Sequence, residues 1–310
     1  MRYVVAVMLF LAGTGLVHAQ FRIAPGGTPR PLGKDTICFR YDFRAGDTLV
    51  YDMQAFDSIA VDKAISESFR KQRVERIRVI CDSITSNGDM ALSRQLLAMR
   101  EENYRLASPY DTTRRASHPW TSRVHRIAID SLGHRRTVSM HDERNGGVSP
   151  GGLFHPQLFP ILDTSCGRQN QTWLAVDTVI LVENAAPSPV LVQQNYWRVV
   201  DVLDTLGRAV KRIQFTQSGT GAYEVSGTDV GGRVTSILAS FGVCTFDQAL
   251  NILLHHYVTS EIKFTMLAGG REVTGKHFVT AQYTLRSLRS RDPRRRWDAT
   301  GTPAAGRSSK

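Results

Sequence analysis

Apolar and polar residues alternate along most of this chain with the period of two that marks β-strands. Residues 39–53 (FRYDFRAGDTLVYDM) alternate on both sides of a Gly46-Asp47 break, with Phe39, Tyr41 and Phe43 on one face. Arg76–Ile84 sets Ile77, Val79 and Cys81 against Arg76, Arg78, Ile80 and Asp82. Arg123–Ile129 and Arg136–Met140 flank Asp130-Ser131-Leu132-Gly133, a turn with Asp at its start and Gly where a positive φ is needed. Tyr196–Leu203 and Arg208–Phe215 flank the same kind of turn at Asp204-Thr205-Leu206-Gly207. Trp173–Val182, Ile262–Leu267 and His277–Leu285 complete the strand signals; in the last, Phe278, Thr280 and Gln282 oppose Val279, Ala281, Tyr283 and Leu285. Met90–Tyr104 is rich in helix formers, and Thr245-Phe246-Asp247-Gln248 resembles a helix capping box ahead of ALNILLHHY. Both segments follow a strand through a short polar turn, and the reading for 90–104 and 246–257 is therefore strand.

These links are too short for the crossover helices of a parallel sheet. The fold expected is all-β and mainly antiparallel, with few short helices: a curved sheet or half-barrel, or two stacked meanders. One face should collect Phe, Tyr, Ile and Val while the alternating charged positions meet water. A weak echo between the halves 38–148 and 161–285 suggests a duplicated meander joined by the Pro-rich stretch Ser149–Pro160.

The ends of the chain read differently. Arg2 precedes the apolar run Val4–Ala12, the breakers Gly13 and Gly15, and Val17-His18-Ala19, which is the order of a cleavable secretory signal. Residues 1–19 are thus expected to be a signal peptide and 20–37 a linker to the β-rich domain at 38–285. The protein expected is exported and soluble, in the periplasm or the extracellular space. The first cysteine after the expected cleavage site is Cys38, which argues against a lipid anchor, and no later segment is long and apolar enough to span a membrane. The net charge of +11 belongs mainly to the C-terminal end. From Arg286 on, eight basic residues face two acidic ones, +6; with Arg2 set aside, residues 3–285 hold +4. Residues 286–310 read as a disordered basic tail rather than a nucleic-acid signal.

Cys38, Cys81, Cys166 and Cys244 form no C-x-x-C pair, which excludes a zinc knuckle or thioredoxin-type site. An even count in an oxidising compartment points to disulfides, with buried thiols as the alternative. In a meander, the start of the first strand lies beside the end of the second, so Cys38 is expected near Cys81. Gly147-Val148-Ser149-Pro150-Gly151 matches a nucleophile elbow in letters only, because Pro150 has no N–H to serve an oxyanion. His141, Asp142 and Glu143 would point to alternate faces of a strand, and His134 and His141 would stand roughly 23 Å apart along one. His255-His256 reads as one core-edge and one solvent histidine. Asp47, Asp130, Asp204 and Asp247 recur as turn formers. Trp120, Trp173 and Trp197 read as core or sheet-face residues, with Trp297 in the tail. No catalytic residue, metal site or cofactor emerges.

Gly46-Asp47-x-Leu49-x-Tyr51, Leu158-Phe159-Pro160…Trp173 and Phe246-Asp247-x-x-x-Asn251-x-Leu253 together resemble uncharacterised secreted β-rich proteins of Gram-negative bacteria. Their architecture is similar to the lipoprotein-carrier half-barrel, and the resemblance covers roughly 38–285. It implies a curved antiparallel sheet with a hydrophobic concave face, no catalytic residues, and a carrier or binding role for an apolar ligand. An envelope polymer or a protein partner are the other ligands considered. A hydrolase assembled from dispersed residues, or a purely structural interaction protein, are the alternative functions.

Overall fold

The computed structural model describes residues 32–62, 68–140, 155–162, 166–180, 190–205, 208–225, 232–268 and 271–298. The expected signal peptide, residues 141–143, the elbow at 147–151, Leu206-Gly207 and the last part of the expected tail, 299–310, lie outside them. The compact unit that begins at Gly33 holds the sheet.

Alternation is realised as one 13-stranded antiparallel sheet, open rather than closed into a barrel. The strands are β2 (Thr48–Val61), β3 (Phe69–Ile84), β4 (Met90–Arg105), β5 (Ser108–Arg115), β6 (Val124–Ile129), β7 (Arg135–Met140), β9 (Thr172–Ile180), β10 (Val190–Thr205), β11 (Arg208–Val225), β12 (Gly232–Asp247), β13 (Leu253–Ala268), β14 (Arg271–Arg289) and β15 (Trp297–Asp298). The main path runs β7-β6-β4-β3-β2-β14-β13-β12-β11-β10-β9. β1 (Thr36–Cys38) and β8 (Cys166–Arg168) form a separate antiparallel pair. The fold is thus all-β, as expected, and the two meanders lie edge to edge through β2 and β14 in one curved sheet instead of stacking. Residues 90–104 are strand, as are 246–247 and 253–257, whereas 248–252, also expected as strand, form the turn between β12 and β13. Among the described residues the helical pieces are two short 3-10 turns, Pro119–Ser122 and Pro293–Arg295.

The turns form for the reasons their residues suggest. Asp130 accepts from the N–H groups of Leu132 and His134, and Gly133 takes φ +89°. A Cβ at Gly133 would stand 2.9 Å from both the Pro160 carbonyl and the Tyr41 ring, so packing as well as backbone demands glycine. Asp247 caps Ala249 and Leu250 by the same logic.

A single sheet must hide its apolar face, and here the chain supplies its own cover. Phe39, Tyr41 and Phe43 do not extend β2 as expected. They cross one end of the inner face, fully buried, and meet Phe159 and Phe246 at ring separations of 5.4–5.9 Å. Leu158, Phe159 and Leu162 form the second half of this plug, tied by Tyr41 Oη donating to Pro160 O at 2.8 Å.

That crossing corrects the expected disulfide. Cys81 lies opposite Gly46 and Asp47, with Gly46 N–H donating to Cys81 O at 2.7 Å, while Cys38 has been carried away to β1. Cys38 pairs instead with Cys166 on β8, Cα–Cα 4.0 Å, and Cys81 and Cys244 are buried free thiols. Thr36 and Ile37, assigned to the linker, belong to β1.

The expected tail is also corrected over residues 286–298. β14 continues to Arg289, and Arg295 is buried, with Nη2 3.3 Å from Asp47 Oδ2. Trp297 packs on the core from β15, opposite Leu288. The arginine run hid this because one of its members turns inward to neutralise a fully buried aspartate.

Arg295→Ala should destabilise the protein by about 3 kcal/mol, since removing one partner of a buried pair leaves the other charge uncompensated. Arg294→Ala, at an exposed position, should change stability by less than about 0.5 kcal/mol. Thermal melts decide between a docked and a dispensable segment. Alkylation of the denatured, unreduced protein should modify two cysteines, and peptide mapping should recover Cys38 joined to Cys166.

Candidate functional site

Strand register sorts the inner face into rows. One row runs Trp197, Phe215, Gly242, Val258, Ala281, Ala55, Arg73, Glu101 from β10 to β4. It is apolar over six strands and sits beside the plug. Gly242 is required here, because a Cβ would fall 2.1 Å from the Phe215 ring. The next row toward the other strand ends is Asn195, Gln217, Ser240, Ser260, Val279, Asp57, Lys71, Asn103. Seven of these eight inward positions are polar, over a width of about 34 Å at the usual strand spacing. The expectation that the alternating charged positions face water therefore fails here at Asp57 and Lys71.

The two halves of the row differ in chemistry. On β2 to β4 the row and its neighbours are mostly charged, and the charges are paired. Arg73 is fully buried, its Nε 2.8 Å from Glu75 Oε1 and its Nη1 3.9 Å from Glu101 Oε2. Lys71 Nζ lies 3.8 Å from Glu101 Oε2, and His277 Nε2 lies 2.9 Å from Asp57 Oδ1. Burial raises the Glu75 carboxyl, while Arg73 and Arg94 pull the other way. Lys71 and Asn103 reach the surface in an open groove of about 560 Å³, also lined by Phe69, Asp111 and Thr113.

On β10 to β13 the groups are neutral. Ser240 Oγ donates to Ser260 Oγ at 2.8 Å. Asn195 is fully buried, and neither its amide nitrogen nor its oxygen has a hydrogen-bond partner among the described residues. The Ser236 hydroxyl, on the same face of β12, is likewise buried and unpartnered. Leu191, Leu238, Ile262 and Val279 supply a small apolar cluster beside them.

A chain of bonds clamps residues 155–160 to the sheet. Tyr283 Oη donates to Pro156 O at 2.6 Å, so the hydroxyl must accept from His155 Nε2 at 2.8 Å. His155 Nδ1 is then left to accept from Arg73 Nη2 at 2.9 Å. Burial and the nearby arginines hold His155 well below its ordinary pKa, in keeping with that neutral tautomer. His256 is the buried member of the 255–256 pair; it stacks on Tyr283 at 5.8 Å, and burial lowers it to about 3.

Several sequence candidates are structural in this arrangement. His134 bonds back to Asp130 at 3.0 Å. Trp197 is fully buried, whereas Trp120 and Trp173 are partly buried against the core. The Cys81 thiol is pushed up to about 11, by burial first and then by Asp47 and Asp82, the reverse of an activated nucleophile. Among the described residues no group of three or more His, Cys, Asp and Glu side chains could hold a metal ion. Sequence reading missed Asp57, Arg73, Glu75, Glu101 and Asn195. Following the alternation of β3 back from Ile77 would have placed Glu75, Arg73 and Lys71 on the inner face.

No protein-family profile matches the chain, and no curated protein matches it significantly.

Buried neutral histidines make stability pH-dependent. His256 and His155, and His125 at about 4, titrate near 6.5 when unfolded, so the unfolded chain binds more protons below that pH. Their contribution is complete above about pH 6.5 and is lost as pH falls toward 3–4; Glu75, with its raised pKa, opposes this in part. Urea midpoints should fall between pH 7 and 5. Since His256 alone accounts for about 2 kcal/mol at pH 5, His256→Phe should flatten the curve.

Proposed function

We propose that this chain is an exported, non-enzymatic binding protein whose ligand lies along the polar row of the inner face. The observation that carries the reading is the unpartnered, fully buried Asn195 within a row of seven polar positions. A buried amide without partners costs about 1–3 kcal/mol, and a ligand that offers it a donor and an acceptor removes that cost. The apolar end of the face is occupied by Phe39, Tyr41, Phe43 and Phe159. A long apolar chain therefore fits less well than a molecule with hydroxyl or amide groups and a limited apolar portion, as in an envelope polymer. Leu191, Leu238, Ile262 and Val279 receive the apolar portion, and the groove at Lys71 and Asn103 opens the other end of the row to the surface.

Export is supported by the leader-like first 19 residues and by the Cys38–Cys166 disulfide, which belongs to an oxidising compartment. Among the described residues no helix is long and apolar enough to cross a membrane. The open curved sheet supports a carrier-like architecture.

Purified mature protein should change tryptophan fluorescence on titration with a soluble neutral polysaccharide fraction of the envelope, and less with a total lipid extract. Asn195→Leu should raise the melting temperature by a few degrees and weaken polysaccharide binding at least tenfold. A destabilised variant with unchanged binding would overturn the assignment; a stronger response to lipid would favour an apolar carrier.

A further inference from the structure

We propose a second binding site, on the outer face, for a phosphorylated sugar. Lys263 on β13 and Lys276 on β14 are direct cross-strand partners. Both point outward and are exposed, and neither has an ion-pair partner among the described residues. Facing partners have Cβ atoms about 5 Å apart, and like charges in that position repel. Alternation alone does not call for the pairing, since the neighbouring partners on this face are Thr265 with Thr274 and Glu261 with Phe278, and Glu261 lies outside the groove's lining.

The two ammonium groups belong to an open groove of about 570 Å³ that spans β11 to β14 and reaches Asp62, just past the end of β2. That volume lies in the range of small-molecule sites and far exceeds a lone ion. Thr220, Thr235 and Thr265 bring hydroxyls to its lining, and Ile237, 60 % exposed, gives an apolar edge suited to the C–H face of a sugar ring. At the end of the groove the Asp62 carboxylate accepts from Thr274 Oγ1 at 2.8 Å, so the anion is placed at the lysine pair and the sugar toward Asp62, which can accept from its hydroxyls. A phosphate dianion between Lys263 and Lys276 turns the repulsion into two charge-assisted contacts, while the sugar hydroxyls meet the threonines. The groove's lining includes Ser236 but none of the eight residues of the inner polar row, which lies on the opposite face of the same strands.

Thermal melts of the whole mature protein at low ionic strength test this with glucose 6-phosphate, inorganic phosphate and glucose. Glucose 6-phosphate should raise the melting temperature by several degrees, inorganic phosphate by less, and glucose not at all. Lys276→Gln should raise the melting temperature without ligand, because the repulsion is relieved, and should weaken glucose 6-phosphate binding at least tenfold. Asn195→Leu should leave this response intact. Equal responses to phosphate and glucose 6-phosphate, no response, or a response retained by Lys276→Gln would each overturn the proposal.

Discussion

A one-layer sheet has nowhere to put its apolar face, and most of this structure answers that constraint. Flat, the inner face would expose Leu49, Tyr51, Ile77, Val79, Tyr283 and Leu285 to water. Curvature brings these strands toward one another, and the Phe39–Phe43 and Leu158–Leu162 segments fill what curvature leaves open. Each plug segment needs tethers of its own, because neither belongs to the main sheet. Tyr41 to Pro160, Tyr283 to Pro156 and Arg73 to His155 provide them. The plug explains the polar groups that tether it, whereas Asn195 and Ser236 have no hydrogen-bond partner among the described residues.

The strands were legible because alternation is a local signal. Long hairpins such as β10–β11 and β13–β14 arise from residues close in sequence, and the two helix-prone segments yielded to their neighbours in the sheet. Alternation cannot report the partner of a segment that leaves the sheet. Phe39, Tyr41 and Phe43 alternate as well as any strand, yet they pack across the sheet instead of within it, and the misplaced Cys38 results from that one departure. The Arg295–Asp47 contact was hidden for a related reason. Composition marks 286–310 as solvated, but a single buried counter-charge 248 residues away decides the conformation of its first part.

The candidate site was less legible than the fold. Lys71, Arg73 and Glu75 read as ordinary surface residues until the register places them opposite Asp57, Ala55 and Met53. Polar residues at inward positions become informative only when several strands align them, and that alignment is a property of the whole sheet. Asn195 in particular is one amide in a polar stretch of sequence; its meaning comes from Gln217, Ser240 and Ser260 lying in the same row.

The Cys38–Cys166 bond spans 128 residues of sequence and joins β1, which leads into the first plug segment, to β8, which comes after the second. Its partners emerge from synthesis or translocation far apart in time. Cys38 stays without its partner until the whole first meander has passed, so the bond cannot close before that half is complete. The neighbouring free cysteine, Cys81, is reached sooner but sits behind Gly46 and Asp47 once β2 and β3 pair. Pairing of these two strands buries the Cys81 thiol, so the same contact that builds the sheet also withholds the wrong partner from Cys38.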